Sequence, residues 1–137
     1  MKVIAVTQRA PFTQKIEVLA IVAYGLTGWA LCAATMGIGM SLTTIHAALI
    51  IHAIAAPLIF TLVSFLYFRR QNAWSPLRTA SAFLAVVAAL DFFIVALAIQ
   101  HSFVMFASVL GVWLPFLLIF LASWLTGLVL QRRTLRA

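Results

Sequence analysis

Acidic residues are nearly missing from this sequence, and charged residues of any kind are scarce. The 137 residues include two Asp or Glu against nine Lys or Arg. Charged residues make up 8% of the chain and hydrophobic residues 66%, whereas soluble domains are about a quarter charged and about half apolar. The composition therefore excludes a soluble globular domain and indicates a chain that lies mostly in a lipid bilayer.

Cysteine is limited to one residue, Cys32. No disulfide can form within the chain, and no Cys-x-x-Cys redox pair is present. The sequence also lacks a nucleophile elbow, a metal-binding helix motif, a phosphate-binding loop and a serine–lysine arrangement. These absences make an enzyme less favoured than a transporter, a cofactor-binding subunit or a membrane anchor.

The nine basic residues form three clusters, which lie before the first of four long apolar stretches, between the second and third, and after the fourth. The turns around residues 35–42 and 100–106 contain no Lys or Arg. Lys and Arg concentrate in cytoplasmic loops of membrane proteins, so the pattern predicts four transmembrane helices with both termini in the cytoplasm. The same pattern explains the formal net charge of +7 without a nucleic-acid partner. The basic clusters are Lys2, Arg9 and Lys15; Arg69, Arg70 and Arg78; and Arg132, Arg133 and Arg136.

The length leaves room for a single integral membrane domain over residues 1–137. We expect an all-α bundle of four transmembrane helices, with residues 36–42 as a turn on the outer side. The expected location is a bacterial inner (plasma) membrane, with the lipid bilayer as the main partner. Four helices enclose little volume, so a homo-oligomer or a place in a larger membrane complex is expected. The predicted helices span approximately residues 17–35, 43–68, 77–100 and 106–130.

Four ionisable side chains fall inside or beside the apolar stretches: Asp91, His52, His46 and His101. Such groups are expensive in lipid, so each calls for a partner or a task. Counted from the turn between the second and third helices, His52 and Asp91 lie at roughly 24 and 21 Å. The other two histidines fall near the outer surface. We therefore predict a deep His52–Asp91 contact, direct or through one water, and a shallow His46–His101 layer.

Cys32, Met36 and Met40 form a second pattern, with a spacing of four residues. Soft sulfur ligands suit Cu(I), which makes the three a weak candidate metal site. The sulfurs would stack on one face only if the helix continued through Gly37 and Gly39, where we expect a turn instead.

Three functions are compatible with these residues. The first is a small proton-linked transporter or channel subunit, because an intramembrane acid with histidines at similar depth is what a proton relay requires. The alternative is a membrane subunit of a respiratory complex that binds b-haem or quinone, with iron held between histidines such as His46 and His101. The third is an accessory or anchor subunit without chemistry of its own.

The predicted topology is tested by thiol labelling with a reagent that does not cross membranes. In a variant without Cys32, a cysteine at position 40 should react from the outside of intact cells. A cysteine near the C-terminus should react only when the cytoplasmic side is opened. Labelling at position 40 from the cytoplasmic side alone would contradict the topology.

Overall fold

A computed structural model of the chain describes residues 10–71 and 74–136. Every regular element in these residues is helical, and four helices are long and apolar enough to cross a membrane. This confirms the predicted all-α class and the predicted four helices of membrane-spanning length. The elements are α1 (Pro11–Leu42), α2 (Ile45–Arg70), α3 (Pro76–Leu90) with a π-helical continuation (Asp91–Ile99), a 3₁₀ turn (Val104–Ala107), a π-helical turn (Val109–Trp113) and α4 (Leu114–Arg136).

The first helix is longer than predicted at both ends. It begins at Pro11, where proline suits the first helical turn, and it does not stop before Gly37. The predicted turn at residues 36–42 is wrong, because α1 continues to Leu42 and only two residues separate it from α2. A Cβ built on the buried Gly39 would lie 3.1 Å from the Cβ of Ala48. Glycine at this point therefore lets two helices approach closely and is not a helix breaker.

The other helices agree with the prediction near the middle of the chain and depart from it later. The ends of α2 lie two residues from the predicted 43–68. The predicted helix 77–100 is helical as far as Ile99, but it changes from an α-helix to a π-helix at Asp91. Before α4, Ser108 is extended and its side chain accepts a hydrogen bond from the Gly111 N–H at 2.9 Å, which restarts the helix. The last helix then runs six residues past the predicted end at 130, to Arg136.

The start of α1, the turn between α2 and α3, and the end of α4 meet at one end of the bundle. Glu17 contacts Trp74 there, and a Cβ on Gly127 would meet Phe68 and Pro76 at 2.7 and 2.8 Å. We call this the basic end, because it gathers the basic residues of the described segments. These are Lys15, Arg69, Arg70, Arg78, Arg132, Arg133 and Arg136.

The bundle core consists mainly of aromatic and small residues. Phe60, Tyr67 and Phe83 are fully buried and stack edge to face. A Cβ on Gly28 of α1 would lie 2.6 Å from the tip of the Phe60 ring. Many other large apolar side chains point outward, an arrangement that suits lipid rather than water. The core is therefore narrow and depends on close contact between α1 and α2.

A matched pair of glycine substitutions tests this packing. Gly28→Ala should lower the free energy of unfolding in detergent by about 1–3 kcal/mol, because the added methyl group overpacks the contact with Phe60. Gly37→Ala is the control, since a Cβ at Gly37 meets nothing within 4 Å. This variant should be as stable as the wild type or slightly more stable. Equal stability of the two variants would contradict the proposed contact.

Candidate functional site

The centre of the candidate site is a hydrogen bond between two helices. The indole Nε1–H of Trp29 on α1 donates to Oδ1 of Asp91 at 2.8 Å. Asp91 lies within the apolar span Pro76–Ile99, away from both of its ends. Both side chains are half-buried. The bond therefore joins α1 to α3 at a depth where a carboxylate has few other partners.

Two more side chains complete this group. The Cys32 thiol, one turn after Trp29 on α1, is 4% exposed and lies close to the Asp91 carboxylate. The His52 imidazole on α2 faces the backbone of Cys32. Its Nδ1 atom is buried and makes no hydrogen bond to any described residue. Trp29, Cys32, His52 and Asp91 thus come from three helices, and we refer to them as the Asp91 site.

The helix changes its winding at Asp91. The Asp91 N–H is shared between the carbonyls of Val87 and Ala88, and the nine residues from Asp91 to Ile99 form a π-helix. The wider turn places Phe92 against Phe103, with ring centroids 5.4 Å apart. Short π-helical segments occur frequently at functional sites. In this chain the segment begins at the only acid within the apolar span.

The side-chain hydrogen bond of Asp91 differs from the predicted contact with His52. His52 and Asp91 both border Cys32, as their similar heights suggested. Among the described residues, however, the side-chain hydrogen bond of Asp91 goes to Trp29 and not to His52. A direct His52–Asp91 bond is not formed, and contact through one water stays a prediction.

The two shallow histidines lie outside the Asp91 site. His46 is exposed in the first turn of α2. His101 is exposed after the π-helical segment, and its φ of 50° places it in the left-handed region that ends helices. Nothing in the described residues joins the two side chains. A haem or quinone site at these histidines stays a prediction.

The sulfur pattern is only partly supported. Because α1 continues through Gly37 and Gly39, Cys32, Met36 and Met40 do follow one another on a single helix. Their environments differ, since Cys32 is 4% exposed and Met40 is 52% exposed. In the described residues, no three His, Cys, Asp or Glu side chains are grouped as metal ligands. A metal site at Cys32, Met36 and Met40 stays a prediction.

The second acid of the chain also binds a tryptophan. Glu17 on α1 is buried, and its Oε2 accepts a hydrogen bond from the Trp74 Nε1–H at 3.2 Å. The guanidinium of Arg78 lies 3.9 Å above the centre of the Trp74 ring. Both acids of this sequence therefore accept an indole N–H, one at the basic end and one deep in the bundle.

Sequence reasoning missed both tryptophan partners. Trp29 lies in the middle of an apolar helix, away from the interfaces where tryptophan is usual in membrane proteins. An indole N–H can only donate, and a buried one usually finds an acceptor. A tryptophan at this depth in a chain with one deep acid was the available signal for the pair.

No protein-family model matches this chain, and no curated protein or solved structure is significantly similar to it. Its function must therefore be inferred from the chemistry of its own residues. The Asp91 site is a part of the described structure where titratable groups from three helices come together within the apolar spans.

Trp29→Phe tests the hydrogen bond directly. The change keeps an aromatic ring and removes the donor, so it should lower the free energy of unfolding by about 1.5–3 kcal/mol, as for other bonds to charged groups. The control is Trp113→Phe, whose indole donates to the Phe106 carbonyl at an exposed position. In ¹⁵N spectra of the four tryptophans, Asp91→Leu should shift the Trp29 indole signal most. An unchanged Trp29 signal would contradict the bond.

Proposed function

We propose that this chain is a proton-linked transporter or channel subunit in which Asp91 binds and releases the proton. The proposal includes insertion in a bacterial inner membrane, with the basic end and both termini in the cytoplasm. The observation that carries it is the Asp91 site, where one carboxylate within an apolar span accepts a hydrogen bond from Trp29 and has Cys32 nearby, and where His52 faces the backbone of Cys32.

The hydrogen bonding of Asp91 supports a role beyond holding helices together. A carboxylate has about four acceptor positions on its two oxygens, and the described residues fill one of them, on Oδ1. An acid at the centre of a bilayer costs about 2.5–3.5 kcal/mol even on the mildest scales. One indole bond offsets only part of that cost. A group kept in this state is suited to taking up a proton.

His52 is the second group of the proposed relay. Imidazole titrates near neutral pH without any help from its surroundings. The Nδ1 atom of His52 is buried without a hydrogen-bond partner among the described residues, and the ring faces the backbone of Cys32, the residue whose thiol lies near Asp91. A water molecule between the His52 imidazole and the Asp91 carboxylate would allow a proton to pass from one group to the other.

The bond to Trp29 offers a way to couple proton binding to movement. A hydrogen bond to a carboxylate is roughly twice as strong as one to a neutral acceptor. When Asp91 takes up a proton, the contact with Trp29 weakens, and with it the link between α1 and α3. The π-helical segment begins at the same residue, so a change at Asp91 acts directly on the winding of the third span.

Transport also requires a path, which we place between subunits. The centre of the bundle is filled by side chains such as Phe60, Phe83 and Ile119. A solute path through one chain would have to displace this core. We therefore propose a homo-oligomer, or assembly with other membrane subunits, in which the half-exposed side of the Asp91 site faces the path.

Asp91→Asn tests the proposed function in vesicles with a trapped pH-sensitive dye. The amide oxygen of Asn can still accept the Trp29 bond, so expression and thermal stability should stay close to those of the wild type. Proton flux under an imposed gradient should be abolished, because Asn cannot carry a proton. The matched control is His101→Asn, at an exposed position outside the site, which should retain wild-type flux. Equal flux in Asp91→Asn and the wild type would contradict the proposal.

A further inference from the structure

Four hydroxyl groups near the basic end are fully buried and have no hydrogen-bond partner among the described residues. They belong to Ser64 and Tyr67 on α2, Thr79 on α3 and Ser123 on α4, and each residue is 0% exposed. A buried hydroxyl without a partner is unusual in a folded protein. Four such groups on three neighbouring helices therefore require an explanation.

The four hydroxyls lie at the same level of the bundle. Leu49, near the start of α2, packs against Gly111, which lies just before α4. Phe68, near the end of α2, packs against Gly127 within α4. These two helices therefore run in parallel. Ser64 and Ser123 are each one turn before the Phe68–Gly127 contact and therefore lie at equal height.

The third helix joins at the same level. Pro76 packs against Gly127, and Thr79 follows one turn later on α3. The Tyr67 hydroxyl faces the Thr79 hydroxyl, without the geometry of a hydrogen bond. We call Ser64, Tyr67, Thr79 and Ser123 the hydroxyl layer.

Other hydroxyls in the same helices are satisfied locally. The side chains of Thr27, Thr61 and Thr126 donate to the carbonyl four residues earlier, at 2.8, 2.7 and 2.6 Å. This local bond is the usual solution for Ser and Thr within a helix. The members of the hydroxyl layer do not use it, although they are the more deeply buried group.

We propose that the hydroxyl layer binds buried water. A buried water makes about three hydrogen bonds to polar groups that otherwise lack partners, and hydroxyls can both donate to it and accept from it. The layer itself contains no carboxylate, so its residues suit a neutral ligand better than a cation. The hydroxyl oxygen atoms come from α2, α3 and α4, and the bound water would bridge these three helices.

The surroundings show where this water would lie in the bundle. Tyr67 is close to the Glu17 carboxylate on the side of the basic end. On the other side, Phe60, Phe83 and Ile119 form an apolar layer between the hydroxyl layer and Asp91. The water would thus extend the polar surface of the basic end inward by about one helical turn and stop at the aromatic core. This inference does not depend on the proposed transport function.

Water-to-protein magnetisation transfer in solid-state NMR tests the proposal on the full chain in lipid vesicles. Transfer to the side-chain carbons of Ser64 and Thr79 should build up as fast as transfer to surface residues such as Arg69. It should be slow at Phe60 and Ile119. Slow transfer at all four hydroxyl residues, as in the apolar core, would overturn the proposal.

Two variants and a salt comparison complete the test. A combined Ser64→Ala and Ser123→Ala change should slow the transfer to Thr79 at least severalfold, while Thr126→Ala, which removes a locally satisfied hydroxyl, should leave it unchanged. An equal rate in both variants would overturn the proposal. Replacing choline chloride with sodium chloride should leave the Ser64 and Ser123 signals in place. A saturable shift with sodium would assign the layer to that cation and overturn the assignment to water.

Discussion

The hydrogen bond from Trp29 to Asp91 is the interaction on which the proposed site depends. It connects α1 with the start of the π-helical segment at 2.8 Å, across a region with few other polar contacts. Without this donor, the carboxylate would have no hydrogen-bond partner among the described residues. Buried acids without partners are strongly disfavoured in apolar surroundings. The bond therefore explains how an acid can be kept at this depth, and it leaves the rest of the carboxylate open to chemistry.

Much of the fold was predictable because it follows from apolar length and charge position. Four apolar stretches correspond to four long helices, and the basic clusters beside every second turn account for the described basic residues sharing one end. The first turn was misplaced because glycine was taken as a helix breaker. Gly37 and Gly39 remain helical, since Gly39 lies against Ala48 where a larger residue would not fit. The contact between α1 and α2 explains why glycine is present within a continuing helix. A contact between two helices cannot be read from the sequence pattern of one of them.

Asp91 and His52 were candidates from the sequence, whereas the hydrogen bond that Asp91 accepts was not. Counting from the turn between α2 and α3 put Asp91 and His52 at similar heights, and both border Cys32. The two helices nevertheless pack mainly against α1 and α4 rather than against each other. The donor to Asp91 comes from α1. The rotation of α1 about its axis depends on two contacts, of Gly25 with Val86 on α3 and of Gly28 with Phe60 on α2. Counting residues from a turn gives the height of a side chain in the bundle, but it does not give the rotation of one helix relative to another. The widening of the third span at Asp91 likewise had no signal in the apolar periodicity.

Direct titration of Asp91 tests the central claim most closely. The chain has a single aspartate, so a ¹³Cγ-aspartate label reports Asp91 alone in lipid vesicles. The account predicts that this signal moves between two limits as pH is varied over the range in which the protein stays folded. The Trp29 indole signal should move with the same midpoint, because protonation weakens the bond that joins them. A carboxyl signal that stays constant over that range, with an unchanged Trp29 indole, would contradict a proton-binding role.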